Sequence, residues 1–149
     1  MAKAALEPFD RTPGENPYQI QSDLQEAMQS LVGIVRTEGE MQQALGAIAA
    51  LQARAAQAGI TGNRQYNNGW HTAMDLANML MVSEAITRAA LLRKESRGAQ
   101  FRDDFPNKDA EWGKYNIVVG RSDDGEMRLE KRPIQPMTDE LKAVIEEMK

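Results

Sequence analysis

Between Trp70 and about Lys94 the chain holds no proline or glycine, and its apolar residues do not keep to one stripe. Met74, Leu76, Ala77, Met79, Leu80, Met81, Val82, Ala85, Ile86 and Ala89 to Leu92 lie almost all the way round a helix. Such a helix has to be covered on more than one side, so the run predicts a long central helix with neighbours. Two amphipathic stretches precede it. Asn16-Pro17-Tyr18-Gln19 supplies an N-cap side chain, a proline at the first helical position and a glutamine placed to reach back to the cap. Ile20, Leu24, Ala27, Met28, Leu31 and Val35 then follow in steps of three and four. Thr37-Glu-Gly-Glu40 forms a second capping box, followed by a stripe of Met41, Leu45, Ile48, Leu51 and Ala55, and Gly59 stands where a left-handed C-terminal cap belongs. The first two helices are expected to be antiparallel neighbours. The fold expected is mainly α, a three-helix bundle running up, down and up in the manner of a spectrin repeat. Two outer helices of this length leave part of the third uncovered. A further domain, a subunit or a second copy would fill the gap, whereas a tight bundle would close on itself.

The flanks read differently. Residues Ala2 to Glu15 mix charges with Pro8, Pro13 and Gly14 without a helical period, which predicts a linker or packed arm. Thr61 to Asn68 are turn formers. After Pro106, Tyr115-Asn-Ile-Val-Val119 and Met127-Arg-Leu-Glu-Lys131 flank Gly120 to Gly125 like two strands about a turn. Pro133 and Pro136 close this hairpin, and Thr138 to Met148 suits a tail helix with Leu141, Val144, Ile145 and Met148 on one face. The expected division is therefore an arm over 1–15, the bundle over 16–106, and a hairpin with tail helix over 107–149.

Several function classes fall away on composition. Eighteen basic against 22 acidic residues leave a net charge of −4, too little positive surface for a nucleic-acid partner. Without cysteine there is no disulfide, thiolate nucleophile, iron–sulfur ligation or cysteine zinc site. No apolar run reaches the roughly 20 residues of a membrane helix, and Met1 to Asp10 lacks the pattern of a signal peptide. No G-x-G-x-x-G follows a strand, so no dinucleotide cradle is expected. His71 is the single histidine, and as a lone ring beside Trp70 it reads as a packed or surface group rather than a catalyst or metal ligand. Asp103/Asp104, Asp123/Asp124 and Glu146/Glu147 are sequence neighbours and read as turns or solvated faces. Met74, Met79 and Met81 suit core packing before they suit an adaptable groove.

The densest chemistry follows the long helix, in Arg93-Lys-Glu-Ser-Arg-Gly-Ala-Gln-Phe-Arg-Asp-Asp-Phe-Pro106. Gly98 is placed for a left-handed turn. Glu95, Arg97, Arg102 and Asp104 can then form ion pairs in which guanidinium forks bind carboxylates or carbonyls and pin one segment to another. The rival use of Arg97 or Arg102 is to bind a dicarboxylate ligand.

The order R-x-E-S-R-G-A-x-x-R-x-D-F-P in this stretch resembles a signature near the C-terminal end of the flavoprotein subunit of succinate dehydrogenase and fumarate reductase. It resembles L-aspartate oxidase more loosely. Gly14-Glu-Asn-Pro-Tyr18, Leu24 to Met28 and Val32 to Glu38 are similar to the start of that family's C-terminal helical domain. Asn78-Met79-Leu80 with Ser83-Glu84-Ala85 is similar to its long helix, and Asp109 to Trp112 and the Asn116-to-Pro133 hairpin also fit. Gln100 stands where many members carry histidine, which removes any proton-carrying role there but keeps hydrogen bonding; the run Ala99-Gln-Phe-Arg102 is similar to the actinobacterial type. The resemblance implies a parent enzyme that oxidises succinate to fumarate, or the reverse, with FAD bound by an N-terminal domain. It implies a helical domain that packs beside the FAD and capping domains and near an iron–sulfur subunit, on the cytoplasmic side and peripheral to the inner face of the cell membrane. On this basis the chain alone is expected to be inactive, with no catalytic, cofactor or metal residues, and Glu95, Arg97, Arg102 and Asp104 are expected to clamp a domain interface. Two alternatives stand beside it: a free-standing helical interaction module, with which Met1 is compatible, and the equivalent domain of L-aspartate oxidase.

Overall fold

The computed structural model describes residues 2–11 and 14–148; Met1 and Pro13, on which parts of the sequence expectations rest, lie outside them. The chain divides into two compact units, Met1–Lys108 and Asp109–Lys149.

The first unit contains α1 (Ala2–Asp10), α2 (Pro17–Leu31), β1 (Val35–Arg36), α3 (Glu38–Ala55), α4 (Asn68–Leu92) and β2 (Phe101–Arg102). Three N-caps set the helix starts. Asn16 Oδ1 accepts from the Tyr18 amide at 2.9 Å ahead of Pro17. Thr37 Oγ1 and Glu40 close the predicted capping box, with the Thr37 amide donating to Glu40 Oε2 at 3.1 Å. Asn67 Oδ1 accepts from the Trp70 amide at 3.1 Å while its Nδ2 donates to the carbonyls of Thr61 and Asn63, tying the preceding loop to the α4 start.

Helix directions follow from the contacts. Gln21 meets the Met79 sulfur and Thr87 Oγ1 meets the Met28 sulfur, so α2 and α4 rise together. Arg54 near the end of α3 reaches Glu15, just before α2, and Asp23 in its second turn, so α3 runs the other way. This is the up-down-up bundle. Its core is Ile20 and Leu24 from α2, Ile48 and Leu51 from α3, Leu76 and Leu80 from α4, and Ala58 from the loop between α3 and α4. Met41 and Ala44 are buried two turns and one turn before Ile48 on α3, and Leu45 only half-buried, so the inward face of that helix is rotated slightly from the expected stripe.

Four local expectations need correction. Ala2–Asp10 lacks a helical period yet forms α1 despite Pro8, because tertiary contacts hold it. Trp70 Nε1 donates to the Ala5 carbonyl at 2.6 Å, Phe9 and Trp70 meet edge to face with centroids 5.5 Å apart, and the Ile60 amide donates to the Pro8 carbonyl. Gln19 does not return to the cap but bonds forward to Asp23 at 2.7 Å, where the carboxylate is a stronger acceptor. Val35 leaves the helical stripe, because α2 ends at Leu31 and Val35 enters β1, 60% exposed. Gly59 is not a left-handed cap: the glycines with positive φ are Gly62, Gly98 and Gly125. It is glycine because the backbone of α1's end passes so close that a Cβ would lie 1.9 Å from the Arg11 carbonyl oxygen and 2.8 Å from the Gly14 Cα.

The second unit is an antiparallel hairpin of β3 (Tyr115–Arg121) and β4 (Met127–Pro133), in register from Tyr115 opposite Pro133 to Arg121 opposite Met127. Each strand begins where the sequence suggests and runs two residues further, to Arg121 and Pro133, and the turn tightens to residues 122–126 with Gly125 at φ +90°. Trp112 is buried here, with the Lys131 ammonium 3.5 Å from its ring centroid. The tail helix α5 (Asp139–Glu147) is capped by Thr138, and the apolar side chains Leu141, Val144, Ile145 and Met148 stay exposed.

The two close-approach glycines and the helical ones should respond oppositely to a methyl group. Gly59→Ala is expected to cost about 1–3 kcal/mol by forcing two backbones apart. Gly46→Ala, inside α3 with nothing within 4 Å of the new Cβ, is expected to stabilise by about 0.5–1 kcal/mol. Urea unfolding of the two variants checks the pair.

Candidate functional site

Two short backbone pairings shape the charged segment. Gly98, at φ +60°, reverses the chain, and Arg97 and Gln100 exchange both amide–carbonyl bonds across the turn. The returning strand β2 then lies parallel to β1, with the Phe101 amide donating to the Ile34 carbonyl at 3.3 Å and the Asp103 amide to the Arg36 carbonyl at 2.9 Å. This places residues 101–104 between the end of α4 and the start of α3.

Arg102 uses that position fully. Its side chain is 0% exposed. Nε and Nη2 grip the two oxygens of Asp104, each at 2.7 Å, and Nη1 donates to the carbonyls of Ala90, Leu91 and Arg93 at 3.1–3.3 Å. Ala90 and Leu91 are in the last turn of α4, where carbonyls lack helical partners. Asp104 in turn accepts from the Glu38 amide, the first of α3, at 2.9 Å. The cation therefore sits at the negative end of one helix and its carboxylate at the positive end of another, which both dipoles favour. The Arg102 guanidinium beside Asp104 holds that carboxyl down at about 2, helped by the Glu38 amide and opposed by desolvation. The Phe105 ring covers the guanidinium with its centroid 5.0 Å away.

A second ion pair forms beside it in sequence. Glu95, also 0% exposed, receives Arg97 bidentately, Nε to Oε1 at 2.8 Å and Nη2 to Oε2 at 3.0 Å, and Arg93 on Oε1. Arg97 keeps 39% of its side chain in solvent. All four sequence-predicted residues thus lie in ion pairs, as Glu95 with Arg97 and Arg102 with Asp104. Asp103 takes part only through its backbone amide and is exposed.

Three further residues take part: Gln100, whose hydrogen bonding the sequence retained, and Ser96 and Arg36, for which it assigned no role. Ser96 Oγ accepts the Arg102 amide at 2.8 Å and donates to the Phe105 carbonyl at 2.9 Å. Gln100 Nε2 donates to the carbonyls of Ala90 and Arg93, and its Oε1 accepts from Arg36, whose Nε bonds the Gly33 carbonyl. Burial lowers the Arg36 pKa. The signal for Ser96 was its place in the charged signature; Arg36, across a tertiary pairing, offered none.

Chemically the arrangement holds rather than reacts. Arg102 is sealed from water with its donors engaged, so it has none to offer a dicarboxylate. His71 is exposed at the start of α4, beside the Trp70 ring, and among the described residues no group of three or more His, Asp or Glu is placed to hold a metal ion. An open cleft of about 730 Å³ near the starts of α2 and α4 is walled by amides, tyrosines and glycine backbone, with Arg11 the charged side chain among its lining.

Arg102→Lys should lower stability by about 3 kcal/mol, because a point charge cannot serve a carboxylate and three carbonyls together. The pH dependence has a definite sign. Asp104 titrates at about 2 folded against an ordinary 3.8, so its contribution is complete above the ordinary value and is lost as pH falls from about 4 through 2. Asp104→Asn should flatten the acid limb of the stability curve in that window, read by chemical denaturation at stepped pH.

Known proteins share both sequence and fold. The model of the fumarate reductase flavoprotein C-terminal family matches residues 21–145. The fumarate reductase flavoprotein subunit of Mycobacterium tuberculosis is 38% identical over 122 residues, covering 81% of this chain and 21% of the relative. In the Mycobacterium smegmatis Sdh1 complex in its apo form, a chain of 40% identity overlays with a TM-score of 0.86 across 94% of this chain and 24% of that one. A variant of E. coli quinol fumarate reductase overlays with a TM-score of 0.76 at 31% identity, covering 84% of this chain and 22% of its own. The chain spans about a fifth of the length of the curated relatives it matches. On sequence and on fold, it belongs to the C-terminal domain family of succinate dehydrogenase and fumarate reductase flavoprotein subunits.

Proposed function

We propose that this chain is a supporting and docking domain of an FAD-dependent oxidoreductase that interconverts succinate and fumarate, and that it carries no chemistry of its own. The observation that carries this reading is the complete burial of Glu95 and Arg102 inside ion pairs that close on the domain itself. Groups so engaged rigidify a scaffold; they do not bind and release a ligand. In this reading FAD is held by the N-terminal part of the parent subunit. The partners are the FAD and capping domains and an iron–sulfur subunit, in an assembly peripheral to the inner face of the membrane. Among the described residues no helix is long and apolar enough to cross a membrane. The arm, bundle and hairpin extension, 1–15, 16–106 and 107–149, are proposed as the working divisions of the domain. Self-association of the isolated chain through an uncovered helix face is the competing use of its surface.

Within this reading Glu95, Arg97, Arg102 and Asp104 clamp the boundary with the rest of the subunit, and Arg97 is the member with the largest solvent-facing edge to do so. Charge reversal there separates the clamp from a purely internal role. Arg97→Glu in a full-length subunit carrying this domain is expected to reduce flavin retention and complex assembly by more than the melting loss of the isolated domain explains. Wild-type assembly and succinate oxidation in that variant would remove the clamp.

A further inference from the structure

The bundle buries one side of α4 and leaves the other bare. Leu76, Leu80, Thr87 and Ala90 are 0–3% exposed, whereas Met74, Met81, Val82 and Ile86, at i, i+7, i+8 and i+12, are 45–57% exposed. Helices whose outer side meets water carry polar residues there. The neighbours obey this, with Gln25, Glu26 and Gln29 exposed on α2 and Gln42, Gln43 and Gln52 on α3. Only on α4, among the three bundle helices, does the outward side stay rich in large apolar groups. Contiguous exposed apolar surface of this kind marks an interaction site, and two unbranched methionines suit a surface that must conform to a partner. Asp75 and the Arg88–Glu84 pair supply a polar rim.

The occupant follows from length. The Mycobacterium smegmatis chains that overlay this fold at TM-scores of 0.86–0.87 and 39–40% identity are about four times as long, this chain covering 24–25% of each. The charged cluster offers little contact area, because Glu95 and Arg102 are wholly internal and, of the four, only Arg97 and Asp104 reach solvent; it ends α4 rigidly and leaves most of the docking area to the helix side. We infer that the outward face of α4, through Met74, Met81, Val82 and Ile86, seats the part of the flavoprotein subunit that lies outside the matched segment in these relatives. The inference rests on the proposed function, and it adds an apolar helix face to the boundary that the ion pairs clamp.

The two methionines report on it directly. Hydrogen peroxide transfers one oxygen to an accessible thioether and leaves as water, so sulfoxide formation at Met74 and Met81, followed by mass spectrometry, measures exposure. The comparison is between the isolated chain and a full-length Mycobacterium tuberculosis subunit whose matched segment is replaced by this chain. Expected is an FAD-loaded chimera in which both methionines oxidise at least about tenfold more slowly than in the isolated chain. Met81→Glu and Ile86→Glu should leave the melting temperature of the isolated chain unchanged and abolish flavin retention in the chimera. An FAD-loaded, active chimera with both methionines oxidised at the isolated rate overturns the inference and leaves the proposed function standing. If light scattering then also shows the isolated chain at twice its monomer mass, and Met81→Glu splits it, the face belongs to a second copy. A chimera with the unaltered face that never acquires FAD overturns both readings.

Discussion

Arg102 is the residue on which the rest of this structure depends. Removing a guanidinium from water carries a penalty of several kcal/mol, and the penalty is offset only when its charge and its donors are all met. Here they are met by two oxygens of Asp104 and three carbonyls around the end of α4. That condition fixes much else. The chain has to turn at Gly98, β2 has to lie beside β1, and Asp104 has to reach the first amide of α3. A buried ion pair is weak evidence for stability in general, but one that joins the orphan carbonyls of one helix to an orphan amide of another removes several desolvation costs at once. The result is a geometric lock between α3 and α4.

The lock has consequences for the long helix. With its C-terminal carbonyls satisfied by Arg102 and Gln100, α4 need not fray, and it presents a straight row of side chains on both sides. One side completes the core with Leu76 and Leu80. The other keeps Met74, Met81, Val82 and Ile86 in solvent. A rigid scaffold that exposes an apolar row offers an interaction surface.

Legibility followed the range of the interaction. The Thr37–Glu40 box and the Asn16 cap were legible because both partners lie within three residues, as was Gly98, whose turn needs a residue free to adopt positive φ. The four charged residues were legible as ion-pair formers from their types and crowding. Which carboxylate met which arginine was not, nor that the guanidinium of Arg102 would cap a helix end ten residues earlier. Gly59 shows the failure most clearly: its role comes from a second backbone strand passing within contact distance, and nothing local records it. Helix α1 failed for the matching reason, since Pro8 argues against a helix locally while Trp70 and Ile60, more than fifty residues away, hold it in place.

The sequence by itself determined the starts of α2 and α3, the period of the buried stripes, the hairpin and the charged signature that marks the family, because caps, amphipathic spacing and turn chemistry act between residues a few positions apart. Tertiary structure alone decided which helix ends Arg102 and Asp104 would join, that a two-residue parallel pairing would hold them there, and which side of α4 would stay exposed. Those outcomes depend on the burial of charge and on the meeting of distant backbones, and both are properties of the packed bundle rather than of any segment within it.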